Sequence, residues 1–262
     1  MRTTTKVLKH EIINLRRSRW VLGYALLLLL LTDAVLRFGG GGSRAVISLL
    51  NVVLIFVPLV SLIFGMMYLY AAREFIELLL AQPIRRGALF LGLYSGLALP
   101  LAVGFLLGVG LPFAWNGSEA AAGGPLTILL LTGVLLTLSF TALAFLLSLL
   151  CEDRAKGLGI AILLWLSATA LYDAFLVVVA TAFADYSLER PLIALTLLNP
   201  IDLGRVLLLL RLDTAALMGY TGAVFERFFG SVAGLALAGG ALLGWTIVPF
   251  GLAFARFRAK DF

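Results

Sequence analysis

Asp173 is the most deeply placed ionisable residue within the apolar runs of this sequence. A charge at such a depth in a bilayer costs from about 2.5 kcal/mol upward, so an acid there usually serves a function or has a partner. Two interpretations stay open. Asp173 and, as a weaker case, Asn51 are candidates for a path through the membrane. Alternatively, Asp173 lies near the outer interface and is hydrogen-bonded to a neighbour such as Tyr172 or the outer loop.

A second candidate chemistry is soft-metal binding by sulfur. Met66, Met67 and Cys151 lie toward the same ends of their apolar runs, and thioether and thiol groups suit Cu(I). Methionine also fills gaps in protein cores, so we predict no metal site in this chain. His10 and Cys151 are the single residues of their types, which excludes a Ser/His/Asp site, an HExxH motif and a disulfide framework.

The chain has no GxxxxGK[ST] phosphate-binding loop. We therefore predict no enzyme active site and no directly bound cofactor. Any energy must come from an ion gradient or from a partner, in which case ATP and Mg²⁺ would be bound by that partner.

Composition points to a membrane protein. Hydrophobic residues make up 62% of the 262 positions, charged residues make up 13%, and the mean hydropathy is +1.08. The formal charge of +6 comes from short basic clusters beside apolar runs, a pattern that indicates membrane topology rather than nucleic-acid binding. The sequence predicts an all-α polytopic fold.

Six apolar runs are long enough to cross a bilayer. The first has a basic front like a signal peptide, but no small-residue cleavage site follows, so we expect a retained anchor. Basic and apolar residues at helical spacing before it predict an amphipathic helix on the inner leaflet, with a frayed tail as the alternative. The sequence thus predicts a single transmembrane domain, residues 1–262, with spans at about 20–36, 46–72, 88–112, 125–150, 157–183 and 230–255.

The distribution of loop charges predicts the orientation. Fourteen Lys and Arg residues fall on the side of the two termini and six on the other side. Both ends are therefore expected on the cytoplasmic side of a bacterial inner membrane. The segment of about 184–229 would then be periplasmic. Asn199 and Pro200 are typical of a helix N-cap and first turn, and one or two short amphipathic helices on the outer mouth are expected.

Small residues recur at every fourth position of the third span and again in the last span. Such ladders let helix backbones approach closely in lipid. Packing within the chain and a sliding or dimer surface both fit the pattern. The predicted helix-packing residues are Gly92, Gly96, Gly104, Gly108 and Gly234.

The stretch between the second and third spans has charges at both ends of an apolar turn. Glu74 and Glu77 stand before and within the turn, and Pro83 closes it. A short helix along the membrane face with exposed charges suits docking to a soluble partner. Alternatively, the stretch is only a connector whose charges reflect membrane topology. The six candidate docking residues are Arg73, Glu74, Glu77, Pro83, Arg85 and Arg86.

This stretch resembles the permease subunits of ATP-binding-cassette exporters of the second type, whose consensus is roughly E-x-x-x-G-T-L-E-L-L-L-x-x-P-x-x-R. Phe75 and Ile76 stand where that family usually has Gly-Thr, and Leu93 stands where a Lys often follows the next Gly. A second set of residues resembles the C-terminal third of the NosY permeases, which serve nitrous oxide reductase maturation. That set is Asn199, Pro200, Asp202, Arg205, Met218, Gly219, Gly222, Trp245, Pro249, Phe257 and Arg258.

The resemblance implies a homodimer of six-helix subunits in membrane lipid. It also implies a separate NosF-like cytoplasmic ATPase and a NosD-like periplasmic protein linked to copper-site assembly. The residues expected to contact that periplasmic partner are Asn199, Pro200, Asp202, Arg205 and Met218. Alternatives are a mechanical transmitter that carries no solute, a proton-driven secondary transporter, and a structural subunit of a respiratory complex.

Overall fold

The computed structural model describes residues 19–39, 42–116, 124–183, 189–211 and 232–260. The described residues form helices joined by short turns, and no strand occurs among them. Met218 and the amphipathic helix predicted before the first span, except Arg19, lie outside these ranges.

Ten α-helices and one π-helical turn make up the described part of the chain. They are α1 (Arg19–Phe38), α2 (Gly42–Ala71), α3 (Arg73–Leu80), α4 (Arg86–Trp115), α5 (Gly124–Leu150), α6 (Arg154–Leu166), the π turn (Ser167–Leu171), α7 (Tyr172–Ala182), α8 (Glu189–Leu197), α9 (Pro200–Arg211) and α10 (Val232–Ala259).

Six helical segments are long and apolar enough to cross a membrane, which confirms the predicted polytopic fold. The fifth combines α6, the π turn and α7 into one stretch of 29 residues. The six segments are Trp20–Phe38, Arg44–Ala71, Arg86–Trp115, Gly124–Leu150, Arg154–Ala182 and Ala236–Ala259.

The centre of the bundle is formed by α5, which packs against α2, α4 and α10, while α1 lies along α4. Gly108 of α4 sits where a Cβ would come within 2.7 Å of the Leu28 Cβ and 2.9 Å of the Ala25 oxygen of α1. A side chain at position 108 would therefore push these helices apart. Gly92, Gly96, Gly104 and Gly234 are buried as well, whereas a Cβ at Gly240 of α10 would meet no atom within 4 Å.

A cluster of aromatic rings ties α4, α5 and α10 together near the end where α3 lies. The rings of Phe90 and Phe145 meet edge to face with centroids 5.8 Å apart, and Tyr94 and Phe250 meet at 4.8 Å. The Tyr94 hydroxyl donates to the Leu138 oxygen of α5 at 2.9 Å. Edge-to-face pairs add about 0.5–1.5 kcal/mol each to the burial energy, so this end of the bundle is firmly held.

Helices α8 and α9, called the hairpin below, meet at an angle of 112°. Short helices are expected here, but α9 is buried in the bundle rather than packed on its mouth. The reason is that α9 is apolar apart from Asp202, Arg205 and Arg211, and its first two charged residues pair with each other and with Asp173 inside the bundle. Gly204 permits its close approach to α5 and α2, since a Cβ there would lie 2.8 Å from a Thr132 methyl and 3.1 Å from a Leu54 methyl.

Candidate functional site

The first candidate site is the connector, residues 73–86, which holds α3 and the turn into α4. Ile76 is fully buried and anchors α3, while Phe75 and Leu78 are 39% and 70% exposed. Glu74 and Glu77 are exposed, and Glu77 lies 3.8 Å from Arg73 in a weak surface pair. Helix α3 is therefore anchored by one buried side chain and exposes both apolar and acidic side chains at its surface.

The two arginines that end the connector differ in their surroundings. Arg85 and Pro83 are exposed, and Arg85 precedes α4 in an extended conformation. Arg86 turns inward, and its Nη1 donates to the Arg258 oxygen at 3.0 Å and to the Lys260 oxygen at 2.7 Å. A cation is well placed there, because the last carbonyls of a helix carry partial negative charge and lack partners. Arg86 thus fastens the connector to the end of α10.

Further contacts join the same end of α10 to the turn between α5 and α6. The Lys260 ammonium donates to the Leu149 oxygen at 3.1 Å and lies 3.7 Å from Glu152. The Tyr70 hydroxyl, at the end of α2, donates to the Cys151 oxygen at 2.8 Å. No sequence pattern indicates a role for Tyr70 or Lys260, since both bind backbone oxygens far away in the chain. The end of α2, the turn between α5 and α6 and the end of α10 therefore meet beside the connector.

The second candidate site contains Asp173 of α7 and Asp202 and Arg205 of α9, called the triad below. The Arg205 Nη1 lies 2.7 Å from each oxygen of Asp173 and 3.1 Å from Asp202 Oδ1. The Asp202 side chain is 5% exposed, that of Arg205 24% and that of Asp173 38%. Asp173 is thus paired with the segment that follows its span.

The bend between α8 and α9 is held by hydrogen bonds to the spans around it. The Asn199 Nδ2 donates to the Ala168 oxygen at 2.8 Å and to Asp202 at 3.2 Å, while its Oδ1 accepts from the Ile201 amide at 3.0 Å. Asn199 is therefore the N-cap residue that the sequence predicts. Ala168 is the middle residue of the fifth span, so the bend lies halfway along it.

Two more donors bind the last carbonyls of α8. The Tyr172 hydroxyl donates to the Leu195 oxygen at 2.6 Å, and the Trp245 indole donates to the Leu197 oxygen at 3.1 Å. The π turn explains why Ala168 can accept from Asn199, since such turns displace the regular backbone bonds of a helix. The bend of the hairpin is thereby tied to the fifth span and, through Trp245, to α10.

The remaining predicted residues are spread over the structure. Asn51 is exposed on α2, and no hydrogen bond joins it to Asp173 among the described residues, while Pro200 is buried in the bend. Met66 is buried and Met67 is 39% exposed, so the two side chains differ in environment. The described part of the chain contains no group of three His, Cys, Asp or Glu side chains that could hold a metal ion.

A cavity of about 230 Å³ borders the bend. Ser167, Tyr172 and Asn199 contribute its polar side chains, and the other lining residues are apolar or aromatic, Trp245 and Phe140 among them. The Tyr172 hydroxyl and the Asn199 amide are already bound within the chain. A hydrophilic solute would find few free polar groups in this cavity.

Comparison with known proteins identifies relatives across nearly the whole chain. Residues 5–262 match the family described as ABC-2 family transporter protein. A probable ABC transporter permease protein NosY of Pseudomonas aeruginosa is 29% identical over 230 residues, which cover 81% of this chain and 84% of that protein. The protein of the same name from Stutzerimonas stutzeri is 25% identical over 289 residues and 99% of both chains.

Proposed function

The chain belongs to the ABC-2 family and is a permease subunit of an ABC transporter, and we propose that it couples ATP hydrolysis in a separate cytoplasmic subunit to movement of the hairpin. In this proposal the connector is the docking site. It lies on the cytoplasmic side of a bacterial inner membrane, two copies of the chain form a dimer, and ATP and Mg²⁺ are held by the ATPase.

The observation that carries the proposal is the attachment of the connector to α10. Arg86 links the connector to the end of α10, and Trp245, about 20 Å back along the same helix, holds the Leu197 oxygen at the bend. Movement of the docked connector is thereby passed to the hairpin. The ATPase shifts the permease between two states only if it binds them with different affinity, so its contacts to the connector must change during hydrolysis.

The exposed groups of the connector fit a protein partner. Leu78 and Phe75 supply apolar contacts at the membrane face, and Glu74 and Glu77 add charge beside them. An interface that combines a small apolar core with a charged rim is typical of protein association.

The relatives named NosY support a finer proposal. We propose that this permease serves copper-site maturation of nitrous oxide reductase, with a NosF-like ATPase and a NosD-like periplasmic protein. Asn199, Pro200 and Asp202 are buried, so they would influence such a partner by holding the hairpin in place rather than by touching it. Arg205 is held by Asp173 and Asp202, so it would act on such a partner in the same indirect way, while Met218 stays a proposed direct contact.

A second candidate function is mechanical transmission without transport of any solute. The cavity at the bend favours it, because the cavity is small and its polar side chains are largely occupied. Uptake of labelled copper or sulfur compounds into proteoliposomes of the full complex separates the two functions. ATP-dependent uptake supports transport, and hairpin movement with no uptake supports transmission.

Charge reversal tests the docking site. The variant Glu74→Lys/Glu77→Lys, co-expressed with a NosF-type ATPase, should insert normally but co-purify with much less ATPase. Arg44→Glu is the matched control, since Arg44 is an exposed charge at the start of α2, at the other end of the bundle. Equal recovery of the ATPase with both variants would count against the docking assignment.

A further inference from the structure

Two clusters of ionic side chains in the spans differ in their ratio of acids to bases. Asp33 and Arg37 of α1 form a one-to-one pair 2.7 Å apart, and Asp33 also accepts bonds from Trp115 and Asn116. The triad has two carboxyl groups against one guanidinium. If every group is ionised, the first cluster is neutral and the triad carries one excess negative charge.

The two acids of the triad are close enough to interact strongly. The same Arg205 nitrogen lies 2.7 Å from Asp173 and 3.1 Å from Asp202, so oxygens of the two carboxyl groups are less than about 6 Å apart. Like charges at such a distance cannot both ionise without penalty unless their surroundings compensate.

Among the side chains that the structure describes, the elements packed around the triad provide no second cation. Along α5 no residue is ionisable, and the basic residues of α10 stand in its last turn, remote from Trp245. On α2 the charged residue is Arg44 near its start, whereas α9 packs at Leu54. The Tyr172 hydroxyl donates its hydrogen bond to the Leu195 oxygen and not to the triad. The remaining charged residues of the hairpin stand at its ends away from the bend: Glu189, Arg190 and Arg211.

Depth and helix dipoles do not remove the excess charge. Asp173 lies nine residues before the end of the fifth span, about 13 Å along the helix, where an uncompensated charge is costly. The N-terminus of α9 offers Asp202 a partial positive charge, but the C-terminal carbonyls of α8 end beside it and oppose that field.

We infer that the triad binds one exchangeable proton, held on its buried carboxyl group Asp202, and that this proton keeps the hairpin fastened to the fifth span. The proton makes the triad neutral: two carboxyl groups, one of them protonated, face one guanidinium. Release of the proton to water changes the charge of the triad from zero to minus one, and the carboxylates of Asp173 on α7 and Asp202 on α9 then repel each other across the contact that fastens the hairpin.

The direction of the pH dependence follows from this charge balance. The fastened hairpin is favoured where the proton is bound and weakens as the pH rises and the proton leaves. The inference concerns this chain alone and does not depend on the ATPase.

Infrared spectroscopy tests for the proton directly. The full chain in lipid nanodiscs should show the carbonyl band of a protonated carboxylic acid at neutral pH, shifted in D₂O and lost at high pH. Asp173→Asn and Asp202→Asn should each abolish the band, since either leaves one carboxylate with one guanidinium. The control Asp33→Asn should keep it. Absence of the band in the wild-type chain, or its survival in the Asp173→Asn/Asp202→Asn variant, would overturn the inference.

A second measurement follows the hairpin itself. Leu198, at the bend, is 62% exposed and can carry a spin label as Leu198→Cys in a Cys151→Ser background. The label should become more mobile as the pH rises in the wild-type background and show no pH dependence with Asp202→Asn. The same pH response in both backgrounds would contradict the proposed role of the proton.

Discussion

Arg86 donates to the backbone oxygens of Arg258 and Lys260, which lie 172 and 174 residues further along the chain. Through these bonds the first residue of α4 holds the last turn of α10. The residue that ends the connector is therefore a joint between two spans, and it connects the docking surface to the helix that binds the hairpin.

Arg86→Ala should weaken this joint. Hydrogen bonds from a charged donor contribute about 1.5–3 kcal/mol each. Because both bonds come from one nitrogen of a half-buried side chain, we expect the variant to lose less than their sum, roughly 2–4 kcal/mol of unfolding free energy in detergent. Arg85→Ala is the matched control, because Arg85 is exposed and adjacent, and it should change stability by less than about 0.5 kcal/mol. Equal unfolding free energies of the two variants would show that the Arg86 hydrogen bonds do not stabilise the fold.

Gly108→Ala should destabilise the contact between α1 and α4. The added methyl group would lie 2.7 Å from the Leu28 Cβ, and overpacking of this kind costs about 1–3 kcal/mol. Gly240→Ala places a methyl group in open space on α10 and should stabilise that helix by up to about 1 kcal/mol. Thermal unfolding of both variants checks the contrast in sign. A stabilising Gly108→Ala would mean that the two helices are less tightly packed than described.

Asn199→Ala should loosen the bend of the hairpin. It removes an N-cap acceptor and the donor to the Ala168 oxygen, and we expect a loss of about 1–3 kcal/mol. Asn51→Ala, an exposed asparagine on another span, should have little effect. Hydrogen exchange of the 189–211 backbone measures the loosening locally. Unchanged protection in Asn199→Ala would argue against a fastened bend.

Arg205→Ala should be among the most damaging single substitutions in the spans. Removing one partner of a buried ion pair typically costs about 3–5 kcal/mol, because the remaining charges stay uncompensated. Arg205→Ala/Asp173→Asn should recover part of this loss by removing one of the two acids. Denaturant titration of the single and double variants measures the recovery, and a purely additive result would show that the two residues are not coupled.

The sequence was sufficient to predict the six spans, since runs of about 20 apolar residues have few alternatives in water or lipid. It also predicted the N-cap role of Asn199, which depends on residues within two positions. The pairing of Asp173 with Arg205 was not predictable, because it depends on how far α9 enters the bundle. A largely apolar helix that contains the charged residue Arg205 is compatible with both a surface position and a buried position until its neighbours are known.

For the connector, too, the sequence predicted the segment but not the different roles of its residues. Its charge pattern and its family resemblance mark all six predicted residues alike. The structure separates Arg86, which binds within the chain, from Glu74 and Arg85, which are exposed. No local pattern distinguishes these roles, since the acceptors of Arg86 are backbone oxygens at the far end of the sequence.

The most direct test of the account is hairpin movement driven by ATP. In the reconstituted complex, the distance between spin labels at Leu198→Cys in two copies of the Cys151→Ser chain should change on ATP binding. The change should be lost with Glu74→Lys/Glu77→Lys and kept with Arg44→Glu. An unchanged distance with ATP, or a change that persists after reversal of both glutamates, would contradict coupling through the connector.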